Sequence, residues 1–163
     1  MSRITFFAAL SIDGFAIPLK RLQSFEFDFF DFEKLACGVN VILMDLDEDV
    51  CCSKLVAKKK IYKIGKDLSL TTLDNMDCDQ PMTVEQLHSN KNGDMLVLGN
   101  TNNLVGYLLD KDWVDELVIC MLPILLGQGK RGFPELSTEK YWTVKGRQIY
   151  YNGVTLQFYE KGV

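Results

Sequence analysis

The chain has 163 residues, of which 47% are hydrophobic and 25% are charged, and its formal net charge is −4 at pH 7. This composition is typical of an ordinary folded protein, and the length predicts one domain, residues 1–163, with a single core. The acidic balance gives no broad attraction for nucleic acid, and the longest apolar run, Leu117 to Leu126, is well under the ~20 residues of a membrane helix. We therefore expect neither nucleic acid nor a membrane as a partner.

The cysteines favour a reducing environment. They number five, an odd set, and no two form a CxxC pair, so a disulfide framework or a zinc site has little support. We therefore expect a cytoplasmic protein. The apolar stretch at the start indicates a strand rather than a signal peptide, because its residues alternate and Asp13 follows at once.

The first half of the chain alternates strand and helix patterns. Arg3 to Ser11 predicts a strand that ends at the turn signal Asp13-Gly14, and Val39 to Met44 predicts a short buried strand. Phe25 to Leu35 alternates phenylalanine with acidic residues, which suits an amphipathic helix or an edge strand, and we favour the helix. The next predicted elements are a helix over Ser53 to Lys60, strands over Lys60 to Ile64 and Leu68 to Leu73, and a helix from Met82 or Thr83 to His88.

The second half predicts a strand, a helix and a closing hairpin. Met95 to Leu98 is a buried strand, and apolar residues at helical spacing follow it from Leu104 to Leu109. Tyr141 to Tyr150 and Val154 to Tyr159 alternate and are joined across Asn152-Gly153, a strong hairpin signal. Together these elements predict an α/β fold with a mixed central sheet of about eight strands, flanking helices and a C-terminal antiparallel hairpin.

The stretch from Trp113 to Phe133 is the candidate active-site edge. A run rich in β-branched residues predicts a buried strand, Pro123 interrupts it, and Gly127, Gly129 and Gly132 break regular structure afterwards. Glycines let a backbone approach a ligand closely, because they have no Cβ and tolerate positive φ. A tight connection between two strands is the alternative interpretation of the same pattern.

Two further segments suggest phosphate chemistry. The junction from Gly99 to Asn103 places backbone amides at the start of a helix, where a phosphate group is stabilised. The acidic residues after Met44 lack the glycine and glutamate positions of an EF-hand. A strand followed by Asp45 and Asp47 also resembles the haloacid-dehalogenase phosphatases, although the βαβ continuation of that family is missing.

The lysines between positions 54 and 66 and the single histidine are the remaining candidates. The lysines suit a solvated face, with a nucleotide-phosphate site as the alternative and Lys66, in a turn after a strand, as its best candidate. No Ser or Cys sits in a nucleophile elbow, so a hydrolytic triad that uses His88 has little support. We expect His88 at the surface or at a helix cap.

Three motifs, in order and at matching spacing, resemble a known family. They are AALSIDGFAI at Ala8 to Ile17, LVLGN at Leu96 to Asn100, and VDELVICMLPILLGQGKRGF at Val114 to Phe133. They are similar to those of the dihydrofolate-reductase-like family, and most of all to the reductase, C-terminal domain of the bifunctional riboflavin-biosynthesis protein. The resemblance covers almost the whole chain and implies the three-layer dihydrofolate-reductase-like fold.

The resemblance implies a homodimeric, NADPH-dependent reductase of a small heterocyclic substrate, like 5-amino-6-(5-phosphoribosylamino)uracil reductase or dihydrofolate reductase. Asp13 is then the candidate proton donor, or a hydrogen-bond partner of the substrate, because hydride transfer itself is the chemistry of the cofactor. The implied substrate-binding residues are Ser11, Gly14, Pro123, Leu126, Gly127 and Gly129. The candidate cofactor-binding residues are Met44, Lys66, Gly99, Asn100, Thr101 and Asn102.

Two departures from the family pattern fall on the cofactor side. Asp45 to Asp47 stands where the family usually has Gly-Arg, and Asn100 stands where a second glycine is common. Carboxylates beside cofactor phosphates weaken binding, since like charges ~4 Å apart repel by about 1 kcal/mol even in bulk water. The alternative interpretation is therefore a family member with a degenerate cofactor site that acts as a non-catalytic ligand-binding or assembly protein.

Overall fold

The computed structural model describes residues 3–18, 21, 38–45, 60–64, 69–72, 82–90, 93–98, 102–150 and 152–162. Within these ranges the chain forms one sheet of nine strands and two helices. The strands are β1 (Ile4–Leu10), β2 (Val39–Asp45), β3 (Lys60–Ile64), β4 (Ser69–Thr72), β5 (Met82–Thr83), β6 (Asp94–Leu98), β7 (Glu116–Met121), β8 (Trp142–Ile149) and β9 (Thr155–Lys161). The helices are α1 (Val84–Asn90) and α2 (Asn102–Asp110).

Parallel strands form the centre of the sheet, and antiparallel pairs form its two sides. The strand order is β5-β4-β3-β2-β6-β1-β7-β9-β8. Strands β3, β2, β6, β1 and β7 run parallel, whereas β4 and β5 on one side and β9 and β8 on the other are each antiparallel to their inner neighbour. The five parallel strands therefore end at the same edge of the sheet, which we call the carboxyl edge.

Strand β1 lies inside the parallel part of the sheet, between β6 and β7, and it is apolar on both faces. Only Thr5 of its seven residues is not fully buried. A near-continuous apolar run is what a parallel strand needs when both of its faces are covered. Strand β1 pairs with β6 from Ile4 to Phe6 and with β7 from Thr5 to Leu10.

Two apolar clusters cover the two faces of the sheet. Successive residues of a strand enter opposite clusters, because their side chains point to opposite faces. One cluster includes Phe7, Ile42, Leu96, Val118, Leu122 and Leu156. The other includes Ile4, Phe6, Leu43, Val97 and Leu117, together with Leu104, Val105 and Leu108 of α2. Helix α2 thus covers the second face with the apolar side that its spacing predicted.

The C-terminal hairpin is confirmed. Strands β8 and β9 are joined through Asn152 and Gly153, and Gly153 has a φ of 91°, in the region that favours glycine. The Gly153 N–H donates to the Tyr150 carbonyl at 3.0 Å, and the Val154 N–H donates to Asn152 Oδ1 at 3.2 Å. Of the predicted Asn-Gly pair, only Gly153 adopts positive φ, whereas Asn152 supports the turn through its side-chain oxygen.

The predicted α/β class and most of its strands are confirmed, with small shifts at their ends. The helix start at Met82 or Thr83 was wrong, because these two residues form β5 and pair with Leu70 and Ser69 of β4. The helix begins at Val84 instead. These residues pair with the backbone of β4, which lies earlier in the chain, and a local sequence pattern does not predict such pairing. The described sheet therefore has nine strands.

Some predicted elements lie outside the described residues. They are the helix at Phe25 to Leu35 and the helix over Ser53 to Lys60. Of the second helix only the last residue, Lys60, is described, and it begins β3. In the described part of the chain, no helix has the length and apolar character that crossing a membrane requires.

We expect Val118→Ala to lower the free energy of unfolding by about 2–3 kcal/mol, because the truncation removes buried methyl groups and leaves a cavity. Val118 is 3% exposed in the middle of the sheet. The control is Leu125→Ala, which truncates an aliphatic side chain that is 69% exposed in the segment after β7, with an expected effect within about 0.5 kcal/mol. Equilibrium unfolding in urea measures both, and equal losses would contradict the burial of Val118.

Candidate functional site

The carboxyl ends of β1 and β7 join two loops into one structure. These strands remain paired up to Leu10 and Met121, so the segments that follow leave the sheet side by side. The Leu122 N–H donates to the Leu10 carbonyl and the Ile12 N–H donates to the Ile124 carbonyl, both with N···O distances of 2.9 Å. In open α/β sheets, ligands bind in the crevice outside the carboxyl ends of the strands. This edge is therefore the candidate site.

The carboxylate of Asp13 fastens the loop after β7 to the turn after β1. Its Oδ2 accepts a hydrogen bond from the Gly127 N–H at 2.7 Å, and its Oδ1 accepts one from the Leu126 N–H at 3.2 Å. The Ser11 hydroxyl also donates to Oδ1, at 2.6 Å. Three residues that the sequence placed on the substrate side, Ser11, Leu126 and Gly127, thus each contact Asp13 directly.

Ser11 anchors this arrangement in the core. Its residue surface is fully buried, with 0% exposed. While its hydroxyl donates to Asp13, its Oγ accepts a hydrogen bond from the Phe15 N–H at 2.9 Å. A buried hydroxyl without partners would lose its hydrogen bonds to water, and these two contacts prevent that loss.

The same contacts determine the charge of Asp13. The hydrogen bond from the Ser11 hydroxyl is the largest cause that lowers the pKa of the Asp13 carboxyl, and the backbone amides of Gly127 and Leu126 lower it further. Partial desolvation opposes this shift. The ionised carboxylate is therefore the favoured form at neutral pH, whereas the predicted role as proton donor requires the protonated form.

A second set of contacts pairs the far end of the loop with the segment after Asp13. The Gly132 N–H donates to the Gly14 carbonyl at 2.9 Å, and the Ala16 N–H donates to the Lys130 carbonyl at 2.7 Å. Phe15 and Arg131 form an antiparallel bridge between them. The loop after β7 is therefore held to the β1 turn at both of its ends.

The glycines of the loop allow close packing of the chain against itself. Gly127 has a φ of 75°, and its N–H contacts the Asp13 carboxylate in that left-handed conformation. At Gly132, a Cβ would lie 1.9 Å from Leu10 Cδ2 and 3.3 Å from the Gly14 carbonyl oxygen. At Gly129 it would lie 3.8 Å from the Phe15 side chain. The tight-connection interpretation of these glycines is thus supported at Gly132, where the nearest atoms belong to the chain itself.

The tip of the C-terminal hairpin also reaches the candidate site, which the sequence did not indicate. A Cβ on Gly153 would lie 3.2 Å from Cγ of Pro123. The register explains this contact, because Thr155 at the start of β9 lies opposite Met121 at the end of β7. The Asn-Gly signal gave the turn but not its position beside the loop.

Two exposed aliphatic side chains flank the same loop. Ile12 is 55% exposed and Leu125 is 69% exposed. Ile12 belongs to the β1 turn, and its N–H donates to the carbonyl of Ile124, the residue before Leu125. They give this part of the carboxyl edge an apolar surface.

The predicted cofactor residues that are described lie at the carboxyl edge on the other side of β1. Met44 of β2 lies opposite Leu98 of β6, so these two strands end together. Asp45 is the last residue of β2, and Asn102 is the first residue of α2. The other candidates lie outside the described residues: Lys66, Gly99, Asn100 and Thr101, and with them Asp47.

The stretch from Trp113 to Phe133 does not form a single edge. Strand β7 crosses the sheet, so Trp113 lies at the edge opposite Pro123. Trp113 stacks there on His88, with ring centroids 3.9 Å apart and an angle of 8° between the rings. Only the part after β7 belongs to the candidate site.

Comparisons with known proteins agree with this architecture. The family model described as the RibD C-terminal domain matches residues 41–156. No curated protein matches the chain significantly. The three solved structures described next each share less than 25% identity with this chain, so their likeness concerns the fold.

Three solved structures illustrate that likeness. A putative riboflavin biosynthesis protein from Shewanella sp. PV-4 has 20% identity and a TM-score of 0.74, with 99% of both chains covered. A pyrimidine reductase-like protein from Corynebacterium diphtheriae has 12% identity and a TM-score of 0.68, with 99% of this chain and 92% of that chain covered. Dihydrofolate reductase from Enterococcus faecalis, complexed with NADP(H), has 12% identity and a TM-score of 0.59, with 99% and 97% covered. The predicted dihydrofolate-reductase-like fold is confirmed.

We expect Gly132→Ala to destabilise the protein by about 1–3 kcal/mol, the usual cost of adding a methyl group to a well-packed site. The added Cβ would overlap the buried Leu10 side chain and approach the Gly14 carbonyl. Gly146→Ala is the matched control, because the nearest atom to its Cβ would be Phe158 Cδ2 at 4.0 Å. Thermal unfolding compares the two variants, and a Gly132→Ala protein as stable as the control would contradict the close packing of the two segments.

Proposed function

Because the chain belongs to the RibD C-terminal domain family, we propose that it is an NADPH-dependent reductase of a small heterocyclic substrate, of the kind that 5-amino-6-(5-phosphoribosylamino)uracil represents. The main structural support is that hydrogen bonds join the two loops that follow β1 and β7 at the carboxyl edge. That edge is where open α/β sheets bind their ligands. The names of the similar proteins, a pyrimidine reductase-like protein and a dihydrofolate reductase, support the reaction class.

The strand order supports a division of the site between cofactor and substrate. Strand β1 lies between β6, which leads towards α2, and β7, which leads into the substrate-side loop. Met44 and Leu98 lie opposite each other near the ends of their strands on the β6 side, and Asn102 begins a helix. The first amides of a helix have no partner within the helix, which suits them to bind an anion. Met44, Lys66 and the segment from Gly99 to Asn102 would hold the cofactor in this proposal.

The chain's own residues would mainly bind and orient the reactants. NADPH, when bound, supplies the hydride. The aliphatic side chains of Ile12 and Leu125 provide an apolar surface for a flat ring, as ligand pockets commonly do. Ser11, Gly14, Pro123 and Gly129 shape the loops around it.

The proposed setting is the reducing cytoplasm. Cys120 is a free cysteine in the core, and burial raises the pKa of its thiol to about 12. A thiol in that environment is unreactive and behaves as a small apolar side chain.

We expect NADPH to bind with a micromolar to millimolar Kd in isothermal titration calorimetry at low ionic strength. The Asp45→Asn variant should bind it about fivefold more tightly, because Asp45 is the last residue of β2 and its removal would take one negative charge from the carboxyl edge where the cofactor phosphates are proposed to bind. The difference should shrink as salt is added.

Asp112→Asn is the control for that titration. Asp112 is also acidic, but it follows α2 at the opposite end of the sheet, where it pairs with Lys140 at 3.0 Å. Its substitution should leave NADPH binding unchanged. Failure of the parent chain to bind millimolar NADPH would contradict the reductase proposal. It would favour the second candidate, a family member with a degenerate cofactor site, for which Asp45 is the supporting observation.

We also propose that the chain forms a homodimer through apolar side chains that are exposed on the face of the sheet against which α2 packs. Met121 and Ile149 lie in one cross-strand row through Thr155, so their side chains share a face. They are 40% and 65% exposed, and Val144 on the same face is 60% exposed. Exposed apolar patches of this kind are typical of interaction surfaces.

Ile149→Lys should shift the protein from dimer to monomer in sedimentation velocity, because it places a charge in the proposed apolar interface. Gln148→Lys is the matched control: the neighbouring residue is exposed on the same strand but points to the other face. Equal behaviour of the two variants would contradict this interface.

A further inference from the structure

We propose that Asp13 is a positioning residue: its carboxylate fixes the backbone of Leu126 and Gly127 and so sets the shape of the substrate side of the cleft. This inference rests on the proposed reductase function. It assigns to Asp13 a role that acts through the loop, in place of the proton donation that the sequence suggested.

The contact is a tertiary one rather than part of a local turn. Asp13 lies 113 residues from Leu126 and 114 from Gly127 in the sequence. Two consecutive backbone amides converge on its two carboxylate oxygens. A pair of adjacent N–H groups in a turn with a left-handed residue forms a small site for an anion, and here the chain's own carboxylate fills it.

The filled site has a consequence for ligand recognition. The amides of Leu126 and Gly127 are engaged by Asp13, so an anionic group of the substrate does not need to bind there to order the loop. Ser11 keeps the carboxylate in place, because its buried hydroxyl is itself fixed between Asp13 and Phe15. The loop is therefore preorganised before the substrate arrives, which lowers the cost of ordering it on binding.

Protonation of Asp13 should release the loop. Because the carboxyl pKa is lowered in the folded protein, its contribution is complete above the ordinary carboxyl pKa and is lost as the pH falls through the lowered value. The groups that cause the shift are hydrogen-bond donors: the Ser11 hydroxyl and backbone amides, including those of Leu126 and Gly127. Lys130 and Arg131 are the charged residues of the same loop, and they contribute backbone contacts to Gly14–Ala16.

The test is Asp13→Asn, an isosteric change that replaces one acceptor oxygen with an NH₂ group facing a backbone donor. Hydrogen exchange should become at least about tenfold faster at Leu126 and Gly127, the range expected when a charge-assisted hydrogen bond is lost. The matched control is Asp112→Asn, at another acid with a lowered pKa, which should leave these amides unchanged. Unchanged exchange in Asp13→Asn would overturn the proposal.

Steady-state kinetics with NADPH and 5-amino-6-(5-phosphoribosylamino)uracil separate positioning from proton donation. A positioning role predicts a KM increase of about tenfold with kcat lowered less, because the apparent affinity falls with the fraction of competent loop. A collapse of kcat with unchanged KM would overturn the proposal in favour of proton donation. If the parent chain has no turnover or does not bind NADPH, the reductase function fails, while the exchange measurement still decides whether Asp13 holds the loop.

An NMR pH titration that keeps Asp13 in place covers the case in which Asp13→Asn does not fold. The Gly127 amide proton resonance should move in an NMR pH titration with a midpoint below the ordinary carboxyl value of 3.8. Ser11→Ala should raise that midpoint, since the largest stabilising contact of the charged form is removed. A Gly127 resonance that does not follow a carboxyl titration would overturn the proposal.

Discussion

Strand β1 pairs in parallel with both β6 and β7, and this pairing determines where the loops of the candidate site leave the sheet. A strand in this position needs partners for its backbone groups, which β7 supplies from Thr5 to Leu10 and β6 from Ile4 to Phe6, and both of its faces must be apolar. Strand β1 meets the second condition almost completely. Its register with β7 brings Leu10 opposite Met121 and so sends two chain segments, far apart in sequence, out of the sheet at adjacent points. The candidate site is a direct consequence of that register.

Asp13 and Asp112 both have a lowered carboxyl pKa, but their contacts differ, and only Asp13 lies at the candidate site. Asp112 owes its shift to Lys140, an ion pair in which the Asp112 side chain is 58% exposed, and such pairs contribute little to stability. Asp13 owes its shift to neutral donors, the Ser11 hydroxyl and two loop amides. The direction of the shift is the same in both. Of these two acids, Asp13 is the one whose contacts join two segments at the carboxyl edge, so its charge affects the shape of the proposed cleft.

The outcome for the glycines and for Trp113 shows where local patterns stop being informative. The sequence grouped Trp113 to Phe133 because the residues are consecutive, but a six-residue strand separates the two ends of that stretch across the sheet. The loop glycines predicted close approach of the backbone to a ligand, whereas at Gly132 the space that a Cβ would need is occupied by Leu10 and Gly14. In the same way, Met82 and Thr83 follow the pairing offered by β4 rather than their own helical pattern. In each case the deciding partner is distant in sequence.

Local and periodic sequence signals were sufficient to predict the apolar β1, helix α2 with its apolar side, and the Asn152-Gly153 hairpin. Three motifs likewise indicated the dihydrofolate-reductase-like fold. These features depend on the alternation of side chains and on the φ preferences of single residues, which a sequence contains. Two kinds of contact could be identified only from the folded chain: Asp13 accepts hydrogen bonds from Leu126 and Gly127, and Gly153 packs beside Pro123. Those contacts depend on strand order and register, which are set by the burial of whole faces of the sheet rather than by any one segment.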